Sequence, residues 1–185
     1  MTKINDYIWQ LPHTPLDDDP PDINILQQDY NLPIAEHLKN PLGDLGYELK
    51  TSDIAVRFDE FSEHGGNMYT ANVRFIRYLT PEIIVRVHFE HDGWAHTIED
   101  HHIHRFYINL DRMKLRDVKT QMMVSAWGGR IQTRMSNRPG ILHRTGDDQL
   151  WQYASAEAFD QQMELFLSNF VGVGQAWLED PTTFG

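Results

Sequence analysis

Through the middle of the chain, apolar and polar residues alternate with a period of two, the pattern of strands that bury one face. Ile54, Val56 and Phe58 fall on one side, with Arg57 and Asp59 on the other. After a turn at Gly65-Gly66, Tyr69, Ala71, Val73 and Phe75 share a face opposite Thr70, Asn72 and Arg74. Thr80-Pro81-Glu82 reverses the chain. Ile83, Val85, Val87 and Phe89 then line up opposite Arg86, His88 and Glu90. Further on, Phe106, Ile108 and Leu110 point in, while Arg105, Tyr107 and Asn109 point out. Gly128-Gly129 suits the positive φ angles of a two-residue hairpin turn. Pairing outward from it sets Trp127 opposite Arg130 and Val124 opposite Thr133. Met122, Val124, Ala126, Ile131 and Met135 then share one face.

Helical spacing flanks this region. Ile34, Leu38, Leu42 and Leu45 recur on one side of a helix that Asn31 can cap and Pro33 can open. Pro41 should split that helix after Asn40, because it lacks an amide donor. Gly46 supplies a stop. Near the C-terminus, Ser155 can cap a helix whose apolar stripe is Phe159, Met163, Phe166 and Phe170. Gly172 and Gly174 predict a kink or break beyond it. Residues 1–30 read as an irregular arm, with Pro12, Pro15, Pro20, Pro21 and the acidic run Asp17-Asp18-Asp19. Residues 31–185 read as one domain. The fold class is α+β, an antiparallel sheet of about five or six strands with helices packed on one face.

The 185 residues suffice for a core without staples. There are no cysteines, which excludes disulfides and thiolate metal sites. The first thirty residues lack the basic start and apolar run of a signal peptide, and no stretch is apolar enough to span a membrane. A cytoplasmic location and no membrane partner are expected. The net charge of -11 opposes nucleic acid, whose phosphates need a basic footprint. It suits a basic protein partner, with Asp17, Asp18, Asp19, Asp22, Asp147 and Asp148 as candidate contacts and Trp9 or Trp94 as candidate anchors.

Two constellations carry candidate chemistry. Histidines crowd between His88 and His104, with Glu90, Asp92, Glu99 and Asp100 among them. Imidazole and carboxylate are what zinc, iron or nickel would take where cysteine is missing, so His88, His101, His102 and His104 form a candidate metal set. The spacing matches no established metal motif, and parity sets His104 with Phe106 but His88 on the polar side. The second constellation is an arginine-rich sheet face. By parity Arg57, Arg74, Arg86, Arg105, Arg130 and Arg134 all lie away from the apolar side, with Tyr107 and Trp127. Arg57, Arg74, Arg86, Arg105, Tyr107 and Trp127 are the candidate ligand-binding set, since guanidinium forks hold carboxylate or phosphate and the rings can stack. The competing reading is cross-strand pairing with Asp59, Glu90 and Asp111. No nucleophile elbow, phosphate loop or dinucleotide fingerprint is present.

Leu45-Gly46-Tyr47-Glu48, Phe106-Tyr107-Ile108-Asn109-Leu110, and Arg144-Thr145-Gly146 with Trp151 give the chain a further character. In these fragments and in layout it resembles small acidic bacterial proteins of unknown function of the polymorphic-toxin immunity type. The resemblance implies a cytoplasmic, non-catalytic protein that neutralises a cognate toxin by direct binding, without a cofactor. It assigns no functional residue. The reading that follows is a non-catalytic binding protein. One alternative is a metal-dependent enzyme using the His88–His104 cluster. The other is a binder of small anions or nucleotides through the arginine face.

Overall fold

The alternating segments from Ile54 to Leu110 form the strands they predict. The computed structural model describes residues 26–59, 66–91, 96–98, 101–117, 122–123, 130–142 and 150–180. Its strands are β1 (Glu48–Asp59), β2 (Gly66–Thr80), β3 (Ile83–His91), β4 (His96–Ile98), β5 (His101–Asp117), β6 (Met122–Met123), β7 (Arg130–Arg134) and β8 (Trp151–Tyr153). They make one antiparallel eight-stranded sheet in the order β1-β2-β3-β5-β4, with β6, β7 and β8 also paired to β5. β4, β6 and β8 have only two or three residues each, too few to show a period of two. Met122 and Met123 pair with Asp117 and Leu115, and Arg134 pairs with Asn109. The two arms expected to pair with each other about Gly128-Gly129 each pair with β5 instead, and the turn itself lies outside the described residues.

One sheet face is apolar. Val73, Phe89 and Ile108 form a cross-strand row, and Phe75, Val87 and Leu110 the next; all are fully buried. Helices cover this side. Helix α1 (Leu32–Asp44) buries Ile34, Ala35, Leu38 and Leu42. Helix α2 (Ala156–Asn169) buries Phe159, Met163 and Phe166. Burying a side chain of this size is worth about 1.5–3 kcal/mol, so this layer dominates the stability.

Local chemistry explains the helix ends. The Ser155 hydroxyl accepts from the Ala158 amide at 3.1 Å, the expected N-cap. Gly46, at φ 85°, closes α1, and the Tyr47 amide reaches back to the Leu42 carbonyl at 2.9 Å. Pro41 does not split α1, which runs through it. The proline withdraws one amide near the helix end, and fully buried Leu42 anchors the turn that follows. Asn31 is helical and does not cap, because a π-helical turn, Leu26–Asn31, runs directly into α1. Its side chain donates to Gln27 Oε1 instead. That turn buries Asp29 and seats Tyr30 in the core. The expected break at Gly172 and Gly174 is a π-helical turn, Phe170–Gly174, continuing into α3 (Gln175–Glu179).

Two arginines on the helix side secure the end of α3. Arg112 donates to the carbonyls of Leu178 (3.0 Å) and Asp180. Arg77 pairs with Glu179, donates to the Leu45 carbonyl and lies over the Tyr47 ring. Cations suit a helix C-terminus, where the carbonyl ends carry negative partial charge. Among the described residues no helix is long and apolar enough to cross a membrane.

Candidate functional site

The other face of the sheet is polar except at one end, where Ile76, Ile84 and Met113 form a small apolar cluster. The register builds it in rows: Asn72, Glu90 and Tyr107; then Arg74, His88, Asn109 and Arg134; then Ile76, Arg86, Asp111 and Gln132. These side chains bind one another across strands. Arg86 donates through Nε and Nη2 to Asp111 Oδ2, both at 2.8 Å. His88 Nε2 meets Asn72 Oδ1 at 2.8 Å, and Arg74 donates to the Thr51 hydroxyl at 3.3 Å. Asn72, His88, Asn109 and Asp111 are buried between longer, half-buried neighbours. In such a setting mutual hydrogen bonds offset the cost of removing each group from water.

Arg134 stands out within the array. Its Nε donates to Asn109 Oδ1 at 3.1 Å, and its guanidinium carbon lies 4.0 Å from the centre of the Tyr107 ring. The same Asn109 amide donates to Glu90 Oε2 at 2.9 Å, which fixes which end of the amide faces the arginine. Two side chains therefore orient one guanidinium, while neither of its Nη atoms has a partner among the described residues. A stacked fork of this kind is set up for a planar oxyanion.

Beside it opens a cleft of about 530 Å³ lined by Arg105, Asn137, Leu150, Gln152 and Gln162. Arg105 and Tyr107 lie two apart on β5, on one face, so the cleft starts next to the stacked pair. Its wall is built from below. Buried Asn169 of α2 donates to the carbonyls of Ser136 and Arg138 and accepts from the Gly140 amide, which fixes the turn at 136–140. Asn137 ties that turn to the Leu150 carbonyl at 2.8 Å.

Of the expected ligand-binding set, Arg74, Arg86, Arg105 and Tyr107 lie on this face. Arg86 is consumed by Asp111, so there the pairing reading describes the geometry. Arg57 sits on β1 opposite Met68, with its side chain outside the described residues. Trp127 lies outside them altogether. Sequence parity put Arg134 on this face but did not single it out. The signal that does so, stacking on Tyr107, depends on how β7 pairs with β5.

The histidines do not gather as expected. His88 lies on the polar face, bonded to Asn72, while His104 lies among the core residues of the opposite face. A sheet separates them, so they cannot share one metal ion. His102 and His101 pair through the backbone with Thr97 and Ile98, and their side chains lie outside the described residues. Among the described residues no three His, Asp or Glu groups are placed to hold a metal. His104 has other company: His91 Nε2 is 3.4 Å from its Nδ1, and Asp29 Oδ2 is 3.9 Å from its Nε2. All three residues are 2% exposed. Tyr30, Tyr153 and Phe106 pack around them. Burial pushes the Asp29 carboxyl up to about 7. Comparison of the chain with protein-family models, with curated proteins and with solved structures finds no match.

Proposed function

We propose that this chain is a non-catalytic binding protein whose recognition surface is the helix-free face of the sheet. The observation that carries the reading is Arg134, stacked on Tyr107 and steered by Asn109, with both Nη atoms directed to no described group. Arginine and tyrosine recur at energetic centres of interfaces, and a surface ordered before contact has less freedom to lose on binding. Among its described side chains the face carries Arg74, Arg86, Arg105 and Arg134 with Glu90 and Asp111, and the register adds Asp53 and Asp59 of β1 to the same face, so the charges are mixed and the Arg134 fork is its ordered cation. The partner chemistry it favours is anionic, opposite to what the net charge alone selects. Neutralisation of a cognate toxin by direct binding is one form this function would take.

A basic protein partner is the second reading. Its acidic contacts at Asp17, Asp18, Asp19, Asp22, Asp147 and Asp148 lie outside the described residues. What favours it is α2, which exposes Glu157, Asp160 and Glu164 and carries no lysine or arginine. Affinity capture from native extract separates the two. The first reading expects a partner held by wild type and by Glu157→Gln/Asp160→Asn/Glu164→Gln, but lost from Arg134→Glu/Tyr107→Ala. The opposite pattern favours the second reading and overturns the first.

A further inference from the structure

Tyr107, beneath Arg134, stands two residues from Arg105 on one face of β5, and Arg105 lines a cleft whose other polar walls are amides. Asn137 donates its amide nitrogen to the Leu150 carbonyl, and its oxygen is an acceptor. Gln152 and Gln162 add two more side-chain amides. Leu150 gives the lining an apolar element. This composition is selective. Guanidinium forks take carboxylates in pairs of parallel hydrogen bonds. Side-chain amides both donate and accept, which matches the alternating N–H and C=O groups of a peptide backbone. Within the cleft Arg105 is the one lining cation among the described residues, which suits a singly charged carboxylate rather than a string of phosphates.

From this we infer that Arg134, Tyr107 and Arg105, with the adjoining cleft, form a subsite for an acidic peptide segment. One side-chain carboxylate sits on the Arg134 fork above Tyr107, and the backbone beside it runs along Asn137, Gln152 and Gln162. The inference rests on the sheet face being the recognition surface and names the chemistry that surface takes. The chain's overall negative charge repels an acidic peptide at long range, so the subsite works by local, stacked and bidentate contact. It also selects against acidic peptides that cannot reach the fork.

Calorimetric titration of the full chain with capped hexaglutamate, capped hexaglutamine and inorganic phosphate tests the inference. Hexaglutamate should bind. Arg134→Gln should weaken it about tenfold or more, because it removes the charge-assisted contact to the carboxylate. Arg134→Lys should weaken it too, since an ammonium keeps the charge but neither stacks nor forks as a guanidinium does. Lys39→Gln, on exposed α1 surface, should change nothing, and hexaglutamine should not bind. Near-ultraviolet circular dichroism on each variant checks that the fold is kept. Three results overturn the subsite: hexaglutamate binding equal in Arg134→Gln and wild type, equal binding of hexaglutamine, or binding of phosphate without hexaglutamate. If any of these appears while a native partner is still lost from Arg134→Glu/Tyr107→Ala, the subsite fails and the recognition face stands. If neither peptide nor partner depends on Arg134, both fail.

Discussion

The hydroxyl of Tyr153 donates to the backbone carbonyl of Asp29 at 2.6 Å. The two residues are 124 positions apart, one on β8 and one in the π-helical turn before α1. Both are buried, so the bond closes the N-terminal turn onto the sheet in the absence of competing water. Tyr153→Phe keeps the ring packing against Phe159 and Phe106 and removes only the donor. It should cost about 1–3 kcal/mol, the penalty of an unsatisfied buried carbonyl. Urea denaturation checks this, and a loss below about 0.5 kcal/mol would mean the turn is not held by this bond.

Asp29 also makes stability depend on pH. Its carboxyl ordinarily titrates near 3.8, and burial raises it to about 7 in the fold. The folded form therefore favours the protonated acid. The stability this contributes is complete below about pH 4 and is lost as pH rises to about 7. The groups that face Asp29 are His104 of β5, with His91 of β3 beyond it, and Tyr153 of β8. Asp29→Asn removes the titration. Relative to that variant, wild type should lose up to about 4 kcal/mol between pH 4 and 7 and level off above. Parallel curves for the two proteins across this range would refute the assignment.

The difference between His88 and His104 was legible in the sequence, because strand parity is local. His104 shares parity with Phe106 and Ile108, and all three are buried on the helix side. The same rule placed Val73, Val87 and Ile108 in the core. What parity cannot supply is which strands meet. That β5 receives β3 along one edge and β7 and β8 along the other depends on contacts far apart in the chain. The stacking of Arg134 on Tyr107 follows from that pairing, so it was hidden. Asp29 was hidden for another reason. It follows a proline-rich acidic stretch that reads as solvent-facing, and the turn that buries it has no apolar period of its own.

Gly174 and Gly172 should respond in opposite directions to alanine. A Cβ on Gly174 would stand 2.8 Å from Phe170 Cδ2, 3.1 Å from Met135 Sδ and 3.2 Å from Leu110 Cδ1. The helix end packs there against the sheet, so Gly174→Ala should destabilise by about 1–3 kcal/mol despite the better helix propensity. Nothing lies within 4 Å of a Cβ on Gly172, which is exposed. Gly172→Ala should stabilise by about 0.4–1 kcal/mol. Thermal melts of the two variants give the answer; a Gly174→Ala variant that melts no lower than wild type would show that the close approach at Gly174 is absent.

The Arg86–Asp111 pair on the polar face is largely buried, with side chains 14% and 0% exposed. Removing two charges from water costs several kcal/mol per ion, and the doubly donated contact recovers it only while both partners are present. Asp111→Ala therefore strands a half-buried guanidinium and should cost about 3–5 kcal/mol. The double variant Arg86→Met/Asp111→Leu removes both charges and keeps most of the volume. It should be markedly more stable than Asp111→Ala alone. The exposed Lys50–Glu48 pair, at 3.3 Å, is the control, and Glu48→Gln should change stability by less than about 0.5 kcal/mol. A double-mutant cycle by urea denaturation measures the coupling directly. A coupling near zero would mean that Arg86 finds other acceptors when Asp111 is gone. The polar face would then be adaptable rather than fixed in advance, and the case for Arg134 as a preorganised contact would weaken with it.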